Sequence, residues 1–269
     1  MKRISIYLLA LMLSFFLNNG CSTLQLESTW KDREITLDGK GGDWLGAKYY
    51  FEDTAISIGL INDTQNLYVS LMTENPMTRA QIMREGLTVW LDSRGGKGKT
   101  FGIKFPLGRQ GEEPGEGRME PGEIMDETTR EEMMQKLQES MTELAILGPG
   151  ENVLATLNIE DAKGIEVRMR NVGGSFVYEL RVPLAASENH PFAVGVDAGD
   201  VIGVGILSPK LEMQRPNGMR FGGRMPGGGG MPPGGGRGDF GMGPMMPQEL
   251  KIWAKVQLAS ASNTSLSFL

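Results

Sequence analysis

Leu87-Thr-Val-Trp-Leu-Asp-Ser-Arg-Gly-Gly-Lys-Gly-Lys-Thr-Phe-Gly-Ile-Lys-Phe-Pro106 is the stretch on which the fold of this chain turns. Leu87, Val89 and Leu91 alternate with Thr88, Trp90 and Asp92, the period of a strand that buries one face. Beyond Gly95, Gly96 and Gly98, the residues Phe101, Ile103 and Phe105 repeat the pattern until Pro106 closes it. Two strands joined by a glycine- and lysine-rich loop are therefore predicted.

The same alternation recurs on both sides. Upstream, Ile56, Ile58 and Leu60 are followed by the polar turn 62–66 and by Leu67, Val69 and Leu71, which makes a hairpin. Glu34 to Leu37 reads as a short strand running into the turn cluster from Asp38 to Asp43 and then Trp44, and Thr78 to Arg84 reads as one or two helical turns. Downstream, Gly and Pro among charges make 107–122 a loop. Thr128 and Glu131 form a capping box, and Met134, Leu137, Met141 and Leu144 recur every three or four residues, so an amphipathic helix is predicted from Thr128 to Leu147. Gly148-Pro149-Gly150 ends it. Ile165, Val167 and Met169, then Phe176, Tyr178, Leu180 and Val182, then Val201 to Leu207 and Leu250 to Leu258, supply further strands. About nine strands, mostly hairpin-linked, predict a mainly β chain. The architecture expected is an antiparallel β-sandwich of the immunoglobulin or jelly-roll kind, with one inserted amphipathic helix. Met213 to Pro247, dominated by Gly, Pro and Met without a periodic apolar face, reads as a disordered loop within it.

The beginning of the chain is of another kind. Lys2 and Arg3 precede an apolar run from Ile4 to Leu17, the build of a secretory signal peptide and too short for a comfortable membrane span. The only cysteine, Cys21, follows Gly20 at the expected cleavage point and resembles the acylated cysteine of bacterial lipoproteins, although Asn18 stands where that pattern favours Leu. Ser22 after it, rather than Asp, leans toward the outer membrane. The organisation expected is a signal peptide over 1–20, a lipidated tether over 21–33 and a sandwich domain over 34–260. That domain holds a loop and helix insertion at 107–150 and the disordered loop at 213–247, and a tail follows at 261–269.

Composition narrows the function classes. The chain has 269 residues, 22% charged and 40% hydrophobic, with a formal charge of −6 that becomes −8 once Lys2 and Arg3 leave. That balance argues against nucleic acid as a partner. One histidine, His190, and one cysteine leave few parts for a catalytic triad, a zinc site or a disulfide framework. Gly98-Lys99-Thr100 mimics the end of a phosphate-binding loop but lacks the preceding glycine and the following helix. The methionines of 213–247 lack the short regular spacing of a copper(I) site. The acids from Glu112 to Glu123 read as solvated charge, and no nucleophile pairs with a base.

Taken in order, Ile35-Thr-Leu-Asp-Gly39 with Asp43-Trp44, Asn62-Asp63 with Asn66-Leu-Tyr-Val69, Gly86 to Asp92, Phe101 to Pro106 and Phe176 to Leu184 resemble the carbohydrate-binding module family 9-like domains. The resemblance covers roughly 34–260. It implies a β-sandwich, sugar binding, and often a structural calcium, with no cofactor required. A sugar platform needs a flat aromatic beside hydrogen-bonding partners. Trp90 and Trp253 lie off the aliphatic faces of their strands and are the candidates, with the helix or sheet-rim packing as the alternative that would cover them; Trp44 is a weaker candidate, suited to plugging the sandwich. Asp38, Asp43, Asp63 and Asp92 could offer oxygen ligands to calcium or could cap turns. The function expected is an exported, lipid-anchored, non-catalytic protein recognising carbohydrate. The alternatives are a structural or interaction protein of the cell envelope with a protein partner and, less favoured, a glycoside-hydrolase-associated activity.

Overall fold

A computed structural model describes residues 23–108, 129, 136, 140–211 and 248–261. Two sheets face each other across one apolar layer. The first runs β1-β13-β12-β6-β7-β8-β9, built from Leu24–Glu27, Leu250–Gln257, Val201–Ser208, Thr88–Asp92, Phe101–Lys104, Glu143–Leu147 and Val153–Asn158 in that order. The second runs β10-β11-β5-β4-β2 with β3 also on β4, built from Glu166–Val172, Ser175–Pro183, Asn66–Thr73, Ile56–Asn62, Thr29–Trp30 and Lys48–Phe51. Pairing is antiparallel except where β1 lies parallel to β13 and β2 parallel to β4. The expected β-sandwich is the architecture found.

Alternation decides what is buried. Ile56, Ile58 and Leu60 of β4, Leu67, Val69 and Leu71 of β5, and Phe176, Tyr178, Leu180 and Val182 of β11 face Leu87, Val89, Leu91, Ile103, Ile202, Val204 and Ile206 of the other sheet. One α-helix, α1 (Pro76–Glu85), follows β5 and is capped by Asn75, whose side chain accepts from Met77 and Thr78 N–H. Its Gln81 amide is buried and donates to the carbonyls of Ser208, Pro209 and Gln248, at 3.1, 2.7 and 3.1 Å. Both stems of the 212–247 segment are thereby fastened to α1.

Three expectations are corrected. Residues 24–30 are no tether: β1 pairs with β13 in one sheet and β2 with β4 in the other, and Ser28 marks the crossing. There its Oγ donates to Asn62 Oδ1 and accepts from Ala259 N–H. Glu34 to Leu37 is not a strand, because its backbone bonds to its own turn: Asp43 Oδ2 accepts from Thr36 N–H at 2.9 Å, and Asp38 N–H reaches Thr36 C=O. The helix predicted to Leu147 stops short of Glu143, where β8 begins, with Leu144 and Ile146 in the core and Ala145 and Leu147 on the outer face. Thr129 and Lys136 are helical; the other residues of 109–139, like 213–247, 262–269 and the leader, lie outside the described residues.

Candidate functional site

The outer face of the seven-stranded sheet carries a cross-strand row. Trp253 stands opposite Gly205, Gly205 opposite Trp90, Trp90 opposite Gly102, and Gly102 opposite Leu147. Each indole lies against the bare backbone of a glycine: a Cβ on Gly205 would come within 2.7 Å of the Trp253 ring, and one on Gly102 within 2.7 Å of the Trp90 ring. Alternation alone correctly places both tryptophans outward. It does not reveal that Trp90 is only 2% exposed, packed with Ala145, Leu147 and Leu207. Lys99 Nζ sits 5.8 Å from its ring centroid. Trp90 is thus a covered wall and not an open platform, and Trp253 is half-buried beside it.

Beside this row runs a groove of about 460 Å³. Its walls are the apolar surfaces of Trp90, Ala145, Leu147 and Leu207, and its polar rim is Thr88, Lys99, Lys104, Glu151 and Thr156. Strand register sets the rim, since Thr88 pairs with Lys104 across β6 and β7, and Ala145 pairs with Thr156 across β8 and β9. The Lys99 ammonium is held by Glu151 Oε1 from the turn before β9. Apolar walls with a few convergent polar groups, at this volume, suit a small amphipathic ligand. Sequence reading missed Lys99, Lys104, Glu151 and Thr156. Lys104 shared the outward parity of Gly102, but nothing local announced that 143–158 would fold beside it as two strands.

A larger cleft of about 640 Å³ lies by α1, between Asp53, Asn75, Gln81 and Lys210. Its wall continues through Gln248 toward 212–247, outside the described residues, and Gln81 is already committed to three carbonyls.

Trp44 is on the outer face of the six-stranded sheet, fully buried with Ile35, Ala47, Ile61 and Tyr68. It covers that face and does not plug the end of the sandwich. Its Nε1–H donates to Glu179 Oε1 at 2.9 Å, and Gly39 N–H donates to Glu179 Oε2 at 2.7 Å. Burial pushes the Glu179 carboxyl above its ordinary range, and the N–H donors of Gly39, Trp44 and Gly41 only partly offset this. Glu179 was not singled out from sequence, because a glutamate on the outward parity of β11 reads as solvent-facing.

Each of the four aspartates holds backbone. Asp38 accepts from Lys40 N–H at 2.9 Å, and Asp63 Oδ1 accepts from Gln65 and Asn66 N–H at 2.8 and 2.7 Å. Asp43 takes Thr36 N–H, and Asp92 takes Gly98 N–H at 2.8 Å and Arg94 N–H at 3.2 Å. Turn capping accounts for all four. Among the described residues no three His, Cys, Asp or Glu gather as a metal-holding group. Cys21, the acids from Glu112 to Glu123 and the methionines of 213–247 lie outside those residues.

No protein-family model matches the chain, and no curated protein does. Among solved structures it is similar to a carbohydrate-binding module of family 9 from Caldicellulosiruptor kristjanssonii in complex with glucose. The two share 10% identity over 69% of this chain and 78% of that one, at a TM-score of 0.34. The resemblance read from the motifs is present here as a weak likeness of fold.

Proposed function

We propose that this chain is an exported, non-catalytic binding protein, anchored by lipid at Cys21, that recognises carbohydrate in the groove on the outer face of its seven-stranded sheet. One observation carries the reading: the groove joins an apolar lining of Leu107, Leu147, Val153 and Leu207 to a rim of hydroxyl, ammonium and carboxylate groups. A pyranose has the matching character, with a C–H face for the wall and hydroxyls for the rim. The leader sequence and Gly20-Cys21 support export and anchoring. Glycan-array screening followed by calorimetric titration tests the binding. Thr156→Trp, on the exposed outer side of β9, fills the groove without touching the core. Saccharide binding abolished by that variant is expected; no binding to any saccharide, or binding that the variant leaves intact, overturns the reading.

A second reading, an envelope interaction protein without sugar binding, has one observation in its favour. Among the described residues β9 is an end strand of the seven-stranded sheet with no further strand paired to it, uncharged from Val153 to Asn158, with Val153 62% and Leu154 57% exposed. Unpaired, uncharged edges accept strands from other chains. Photo-crosslinking from position 154 in membranes decides it, since a specific protein adduct without glycan binding favours this reading over the first.

A further inference from the structure

We infer that the groove takes an acidic sugar, a hexuronate whose carboxylate is received by Lys104. The inference rests on the carbohydrate reading above and names the class of saccharide.

The charge of the groove is the starting point. The chain as a whole is acidic, at −6. Inside the groove, however, there are two ammonium groups, Lys99 and Lys104, and one carboxylate, Glu151. Lys99 and Glu151 neutralise each other directly. Among the described residues Lys104 has no ion-pair partner, which sets it apart from Lys99 at the same rim. Its place is fixed, because β7 ends at Lys104 with Thr88 opposite it, and its stem passes Gly86, where an added Cβ would lie 2.8 Å from Lys104 Cε.

Geometry selects the form of the anion. One free ammonium beside an apolar wall matches one carboxylate on an otherwise amphipathic ring. The carboxyl carbon of a hexuronate projects from the ring edge, so the C–H face can lie along the apolar side of the groove, where Val153 is exposed, while the carboxylate reaches Lys104. Glu151 and Thr156, on the opposite bank, are placed to bond ring hydroxyls. A neutral sugar would leave the Lys104 ammonium without its counter-charge.

The test is calorimetric titration of the folded chain with oligogalacturonate and with the uncharged oligogalactoside of the same length, repeated on Lys104→Gln. The half-exposed position makes the variant safe for folding, which its thermal melt checks. Binding of the acidic oligomer at least tenfold tighter than the neutral one is expected, with Lys104→Gln abolishing that preference and leaving neutral affinity within about twofold. Equal or tighter binding of the neutral oligomer, or an acidic affinity unmoved by Lys104→Gln, overturns the inference while the carbohydrate reading stands. If neither oligomer binds and no other saccharide does, both fall.

Discussion

Trp44 donates its indole N–H to Glu179, a bond between residues 135 positions apart in the sequence. The bond closes the segment from Glu34 to Ala47 over the outer face of the six-stranded sheet. Because burial raises the Glu179 carboxyl, its charged form is the costly one, and the stability contributed by the protonated form is lost as pH rises from the ordinary carboxylate range through the folded value. Trp44→Phe removes a donor that favours the carboxylate. It is expected to cost roughly 1.5–3 kcal/mol at pH 7, the range for a bond to a charged group, and less at pH 4. Urea unfolding at the two pH values checks this, and equal losses at both would mean that only ring packing was disturbed.

The glycines of the outer row are expected to be irreplaceable for a steric reason. Gly102→Ala and Gly205→Ala drive a methyl into an indole ring, at a cost of roughly 1–3 kcal/mol each. Gly203→Ala is worse, since its Cβ would collide with the carbonyl oxygen of Gly96 and displace the loop after β6. Gly42→Ala, where a Cβ meets nothing within 4 Å, serves as the control and should change stability by no more than about 0.5 kcal/mol. Thermal unfolding of the four variants gives the order.

Asp63 makes the opposite pH prediction from Glu179. Burial pushes its carboxyl up, but the N–H groups of Gln65 and Asn66, with Lys31, outweigh this and hold it below its ordinary value. Its stabilisation is therefore present above the ordinary carboxylate range and lost as pH falls through the depressed folded value. Asp63→Ala should cost roughly 1–2 kcal/mol at pH 7 and distinctly less in strong acid, once the wild-type carboxyl is protonated. Denaturant midpoints at the two pH values measure the difference.

Gln81→Leu leaves three buried or half-buried carbonyls without their common donor. The expected loss is roughly 2–3 kcal/mol, read as a lowered melting temperature. Gln81→Glu, isosteric but without the amide donor, should lose at least as much. Recovery of full stability in either variant would show that the stems at 208–209 and 248 hold without α1.

What the sequence made legible was whatever alternates strongly over several residues. The hairpin of β4 and β5, the pair β6 and β7, and the strands β10 to β13 are all readable from aliphatic period, because their inner faces must meet across a single apolar layer. The misreadings have a shared cause. Leu137, Met141 and Leu144 happen to fit a helical spacing, yet Leu144 and Ile146 also fit a strand, and pairing with β7 and β9 selects the strand. β1 and β2 are short and half-exposed, and only their parallel partners make them strands. The groove was hidden for the same reason. Lys104 and Glu151 are 47 positions apart, and their convergence depends on the order of β7, β8 and β9.

Sheet order also governs how the molecule would stand on a membrane. With Leu24 already hydrogen-bonded into the first strand, only Ser22 and Thr23 separate an acylated Cys21 from rigid structure. Three residue steps span about 10 Å at full stretch, little more than the headgroup layer. The protein would then be moored broadside by its β1 edge instead of swaying on a leash. β9 would then stand six strands away, roughly 29 Å at sheet spacing, and lift the far end of the groove clear of the bilayer.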